Sequence, residues 1–149
     1  MKKIKFFFQI NLLIFLSSIL NVQATVTFID SLAVHSRDSE AVAFAFNNDG
    51  SKMFVVGCIN DSVDEYSLST NFDVSTASFV DGFDVSAKEG CATGLAFNND
   101  GSKMFISGFV NDKIHEYDLS TNFDVSTASF VDSLDIIEQG GNSKNLTFN

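Results

Sequence analysis

The stretch Phe46-Asn47-Asn48-Asp49-Gly50-Ser51-Lys52-Met53-Phe54 returns unchanged as Phe97-Asn98-Asn99-Asp100-Gly101-Ser102-Lys103-Met104-Phe105, an offset of 51 residues. The same offset carries Leu68 to Asp81 onto Leu119 to Asp132 without a change and aligns Phe28 with Phe79 and Phe130. About 30 of the 51 positions agree between units 28–78 and 79–129, and a third copy starts at 130 and fills positions 130–149. One supersecondary unit has been duplicated. Self-similarity at this period marks a repeat architecture, in which each unit buries its apolar face against the next.

Inside a unit, short apolar runs are broken by turn residues, with no sustained 3.6-residue stripe, so the class is all-β. Ala41 to Phe46 reads as a strand covered on both faces. Asn47-Asn48-Asp49-Gly50 then forces a tight reversal, because Asn, Asp and Gly tolerate the positive φ of hairpin turns. Lys52 to Cys58 is a second buried strand, and 63–69 a third, alternating and only partly covered. The loop 69–76 carries Asp73, Ser75 and Thr76 to bond local backbone, and 77–85 supplies a fourth strand. The same four strands are expected 51 residues later. Four antiparallel strands, the most apolar first and the most polar last, describe a blade of a β-propeller, its first strand at the axis and its fourth at the rim.

The wording of the second unit sharpens this. Residues 92–108, Ala-Thr-Gly-Leu-Ala-Phe-Asn-Asn-Asp-Gly-Ser-Lys-Met-Phe-Ile-Ser-Gly, followed by Asp112-Lys113-Ile114-His115-Glu116-Tyr117-Asp118-Leu119, resemble the YVTN-type propeller repeat, which is related to the NHL and lactonase-like propellers. The resemblance spans 41–81 and 92–132. It departs from the family in a longer loop after Leu68 and in lacking Pro before the first strand. It implies two complete blades plus the start of a third, an incomplete ring, since rings take four to eight blades. Thr25 to Val34 aligns with a fourth strand, which in closed propellers completes the last blade. The chain is therefore expected to be part of a longer reading frame, or to assemble from several copies. Open blade faces would then favour self-association.

The N-terminus reads as a secretory signal over 1–24. Lys2, Lys3 and Lys5 form a basic region, Phe6 to Leu20 is largely apolar, and Val22-Gln23-Ala24 offers a cleavage site after Ala24. Its apolar run falls short of the ~20 residues that span a bilayer. Export to the periplasm, the exterior or the cell surface is expected, with no membrane association after cleavage. Cleavage would move the net charge from −10 to −13, which repels nucleic acid and anionic headgroups.

The 149 residues are 45% hydrophobic and hold 17 Phe but no Trp or Pro, so Phe is the main packing residue of one domain. Chemistry is harder to find. The repeated Asn47, Asn48, Asp49 and Asp61 offer calcium ligands, but Ala45 stands where a calcium loop needs its first acid, and a hairpin turn explains the same residues. His35 and His115 fall outside the repeat pattern, and two His with two Cys lack zinc spacing. No G-x-S-x-G elbow occurs, and one Arg cannot supply the acid, His and Arg set of lactonase-like enzymes. No catalytic, cofactor or metal residue is assigned, and no cofactor is expected. Near-identical blades fit a scaffold better than an active site, which draws different residues from different blades. The reading is thus a non-catalytic, exported scaffold that recognises an unknown protein or glycan. A fragment of a lactonase-like hydrolase and a repeat segment of a surface adhesin are the alternatives.

Two sets of residues remain as candidates. Asp64 and Tyr66, with His115 and Tyr117, place a charged or titratable group beside an aromatic on the third strands, where they either face a ligand or pack against the outer layer. Cys58 and Cys91 become Phe109 and Asn142 in the next unit, a paired loss that fits a disulfide across adjacent blades, or two unrelated small residues.

Overall fold

The computed structural model of the chain describes residues 26–140 and 146. The expected signal segment at 1–24 and the first strand of the third unit lie outside them. Eight strands occur: β1 (Ala41–Phe46), β2 (Lys52–Gly57), β3 (Ser62–Leu68), β4 (Ala77–Asp84), β5 (Ala92–Phe97), β6 (Lys103–Gly108), β7 (Lys113–Leu119) and β8 (Ala128–Asp135). They form two four-stranded antiparallel sheets, ordered β1-β2-β3-β4 and β5-β6-β7-β8. Every strand ends within one residue of the expected boundary. Bulges repeat too, falling between Ala41 and Ala43 and between Ala92 and Gly94 in the first strands. The third strands carry theirs between Glu65 and Tyr66 and between Glu116 and Tyr117.

The hairpin between the first two strands shows why the repeated stretch governs the fold. The Asn47 side chain accepts from Lys52 N–H (2.9 Å) and donates to Ser51 Oγ (3.1 Å), while Asp49 accepts from Ser51 N–H (2.9 Å). Gly50 takes φ +72°, and a Cβ there would run into the ring of Phe72, which folds back over the turn. Gly101 and Phe123 repeat the arrangement. Glycine is needed at both positions for its positive φ and for the aromatic lid above it.

Alternation along β2 divides its side chains between two cores. Phe54 and Val56 point toward the second sheet and join Val63, Val85, Leu95, Met104, Ile106, Tyr117 and Leu119 in one buried cluster that spans both sheets. Met53 and Val55 point the other way, to Tyr66 and Leu68, with Leu32, Val34, Phe46 and Val74 alongside. Burying a side chain such as Phe54 contributes roughly 2–3 kcal/mol, so the packing between the sheets carries much of the stability.

Three expectations are corrected. β5 is buried almost throughout, but β1 is largely exposed, because no sheet covers it among the described residues. β3 is mostly buried rather than half-covered, with only Ser67 exposed, whereas β7 is partly covered and buries His115, Tyr117 and Leu119. Asp64 and Glu65 of β3 find partners inside the fold. Residues 26–34 form no strand, since the described residues offer no third strand for that segment to pair with; Leu32 and Val34 instead pack on the exposed side of the first sheet.

Cys58, just past β2, and Cys91, just before β5, are bonded to each other, with Cα atoms 3.9 Å apart. The bond ties the end of one hairpin to the start of the next sheet across 33 residues. A loop of that length restricts the unfolded chain enough to contribute about 3–4 kcal/mol. Cys58→Ser combined with Cys91→Ser is expected to lower the unfolding free energy measured in urea by that much, with the strand content unchanged. Thiol titration of the native oxidised protein should detect none.

Candidate functional site

Each sheet has a forward face, which looks toward the following sheet, and a rear face, which looks toward the preceding one. Within the chain the forward face of the first sheet meets the rear face of the second. Its polar centre is a pair of charged residues on neighbouring strands. Lys52 Nζ lies 2.7 Å from Glu65 Oε1 and donates to the carbonyl of Phe123 (2.6 Å), while Glu65 Oε2 accepts from the buried N–H of Val125 (3.1 Å). The two side chains clamp the 3-10 turn Val125–Thr127 that precedes β8. Around the clamp, the Phe54 ring packs tilted against Phe97 and stacks with Phe123, at centroid separations of 4.5 and 6.4 Å. Asn48 Nδ2 donates to the Asn99 carbonyl (2.6 Å) at the edge. Glu65 is buried without cost beyond its desolvation because both oxygens have charge-assisted partners.

Among the described residues, the other two faces lack the cover of a second sheet. On the rear of the first sheet, Phe44 is 66% exposed, while Leu95, its counterpart 51 residues on, is 3% exposed. A cleft of about 240 Å³ opens there between Leu32, Val34, Val42, Phe44, Val55 and Val74. On the forward face of the second sheet a cleft of about 280 Å³ is lined by Phe105, Ile114, Glu116, Asp132, Ser133 and Leu134. Lys103 and Glu116 stand there where Lys52 and Glu65 stand in the first sheet, and they are paired with each other but half-exposed. Lys103 also reaches Asp118 (2.7 Å), and Asp118 with Glu116 holds its ammonium above the ordinary lysine value.

Of the two readings offered for the four third-strand residues, packing is the one their burial matches. Asp64, Tyr66, His115 and Tyr117 are all buried, on the rear faces of the two third strands. Asp64 is held by Arg37 (3.2 Å), whose guanidinium also sits 3.6 Å over the Phe79 ring, and Tyr66 packs edge-on against Phe79. Tyr117 lies between Phe83 of the first sheet and Phe130 of its own, and burial pushes its phenol up to about 12. His115 accepts or donates a hydrogen bond with Ser133 Oγ at 2.8 Å. Burial lowers its pKa, so the ring is neutral and its 3.9 Å approach to Glu89 is no ion pair at neutral pH. The side chains alternate as expected, but both sides of β3 are covered, and in β7 it is the side carrying His115 and Tyr117 that is buried.

Sequence reasoning passed over the residues that organise the site. Lys52 and Glu65 are charged residues in apolar strands, and each is unchanged at Lys103 and Glu116 while neighbouring Asp64 becomes His115. A charge repeated within buried strands was the available signal. A second device was also missed: Glu89 accepts from the N–H groups of Cys91, Val110 and Asn111, and Asp38 from those of Glu40, Ile59 and Asn60. Each acid precedes a first strand and pins the turn after the second strand. Among the described residues no three His, Cys, Asp or Glu side chains gather as a metal site.

No known protein family matches this chain, and no curated protein does. A solved structure similar to it is a functionally unknown protein from Desulfotomaculum acetoxidans DSM 771, with 18% identity and a TM-score of 0.48. The match covers 62% of this chain and 26% of that one.

Proposed function

We propose that this chain is an exported, non-catalytic repeat scaffold of the β-propeller kind, which recognises protein through the faces at the two ends of its pair of sheets. The observation that carries the reading is the contrast across the repeat: Phe44 open where Leu95 is covered, and Glu116 half-exposed where Glu65 is buried. A surface of the same composition as a working packing interface, left uncovered, is a protein-binding surface by its chemistry. Two consecutive four-stranded meanders packed in series support the propeller reading. The duties of the buried acids support a scaffold, since Asp38, Glu89 and Glu65 all accept from backbone N–H groups and Asp64 is paired with Arg37.

The test sets the purified chain against a peptide array, a glycan array and a lactone substrate. Binding to peptides, weakened in both Phe44→Asp and Leu134→Asp, is the expected result. Both substitutions fall on exposed side chains, so the fold is retained. Glycan binding, lactone hydrolysis, or peptide binding indifferent to both substitutions would overturn the proposal.

A further inference from the structure

The segment clamped inside the chain and the segment displayed at its open end have the same sequence. Lys52 and Glu65 hold Phe123 and Val125, which belong to the stretch Leu119 to Asp132, and that stretch is identical to Leu68 to Asp81. Its local structure is identical as well. Asp73 caps the 3-10 turn Val74–Thr76 as Asp124 caps Val125–Thr127, with the cap residue extended in both. The aromatic pair is preformed, Phe46 to Phe72 at 5.4 Å against Phe97 to Phe123 at 5.5 Å. Phe72 is exposed. At the opposite end, Lys103, Glu116 and Phe105 reproduce the receiving set of Lys52, Glu65 and Phe54, and Asn99 repeats Asn48.

We propose that copies of this chain dock head to tail, the Lys103–Glu116 pair of one copy taking the Phe72 carbonyl and the Val74 N–H of the next. The proposal rests on the reading of the open faces as protein-binding and names the partner as a second copy. Asn99 Nδ2 meets the Asn48 carbonyl. The two surfaces differ from each other, so the contact is heterologous and propagates into a closed ring or an open filament, never a two-fold dimer. A second copy is favoured over any other occupant because it brings the one segment that the clamp is seen to hold.

Two variants separate the ends. Lys103→Ala with Glu116→Ala removes the receiving pair, both members of which are half-exposed at the edge of the fold. Val74→Pro with Phe44→Asp spoils the docking segment. Val74 is the first residue of its turn and follows an extended Asp73, a place that suits proline locally while deleting the N–H the clamp needs. Sedimentation of the unaltered chain should show species larger than a dimer, growing with concentration. Each variant alone should associate roughly 30-fold or more weakly, the loss expected when a buried charge-assisted contact is truncated. Circular dichroism and melting temperature report whether each variant is folded, and Phe44→Asp alone serves as a second rear-face variant. Mixed in equal amounts, the two variants should form a one-to-one pair and stop, because one keeps only a live tail and the other only a live head. An unaltered chain that stays monomeric at every concentration overturns the proposal, as does assembly that ends at two-fold dimers or a mixture that fails to pair. A monomer that still binds array peptides through Phe44 and Leu134 would sink self-docking alone and leave the protein-binding reading standing. A monomer that binds none would remove both.

Discussion

Replacing Glu89 with Ala is expected to destabilise the chain by about 3 kcal/mol, more than any substitution of an exposed acid. Its side chain is fully buried, yet no lysine or arginine among the described residues bonds to it. It accepts instead from the N–H groups of Cys91 (3.2 Å), Val110 (2.9 Å) and Asn111 (3.3 Å). Backbone donors compensate a buried carboxylate as an anion at a helix N-terminus is compensated, by converging dipoles rather than by one countercharge. Removing the acid takes the acceptor from three part-buried N–H groups and opens a hole beside Gly108, where a Cβ would collide with the Glu89 side chain. Glu89→Gln keeps the shape and one acceptor and should cost less. Urea unfolding of the two variants beside the unaltered chain measures the difference, and a loss below about 1 kcal/mol for Glu89→Ala would show that water replaces the carboxylate without strain. Asp38→Ala is the internal comparison, with the same three-donor arrangement in a turn nearer the open end of the molecule.

The strands were legible because their boundaries are set by local chemistry. Asn47, Asp49, Gly50 and Ser51 close the hairpin through bonds within six residues, so the turn can be read without knowing what lies above it. Burial was legible only where the neighbour is part of the described chain. β1 and β5 are both short apolar runs, and both were expected to be covered; the second is, the first is not, since burial belongs to the pair of packed surfaces and not to the strand. The same reason explains Asp64 and His115. A polar residue alternating with apolar ones reads as the wet side of a strand. Here that side is covered, by Arg37 and the 26–40 segment in the first sheet and by the first sheet itself in the second, with Asp64 paired to Arg37 and His115 Nδ1 bonded to Ser133. The Lys52–Glu65 clamp escaped notice because its acceptor and donor are main-chain atoms of Phe123 and Val125, which a sequence pattern does not display. Cys58 and Cys91 were legible through their joint loss in the following unit, and the structure brings them together.

Phe54 and Phe105 occupy the same position of the repeat, and the difference between their alanine variants measures what covering a face contributes. Phe54 is fully buried between the sheets, against Phe97 and Phe123, so Phe54→Ala leaves a cavity in the shared core and is expected to cost about 3–5 kcal/mol. Phe105 is half-buried on the forward face of the second sheet, and Phe105→Ala in dilute solution should cost roughly 1–2 kcal/mol, in proportion to the smaller apolar area it loses. Repeat units are held by their own strands plus the contact with their neighbours, so Phe54→Ala should also broaden or split the unfolding transition as the two sheets lose their coupling. Phe105→Ala leaves that coupling intact and should keep one sharp transition. Concentration supplies the decisive comparison. If a second copy covers Phe105, the unaltered chain gains stability as its concentration rises while Phe105→Ala gains less, and the apparent cost of the Phe105 substitution climbs toward that of Phe54. A gap between the two variants that is independent of concentration would mean that the forward face of the second sheet has no partner of its own kind.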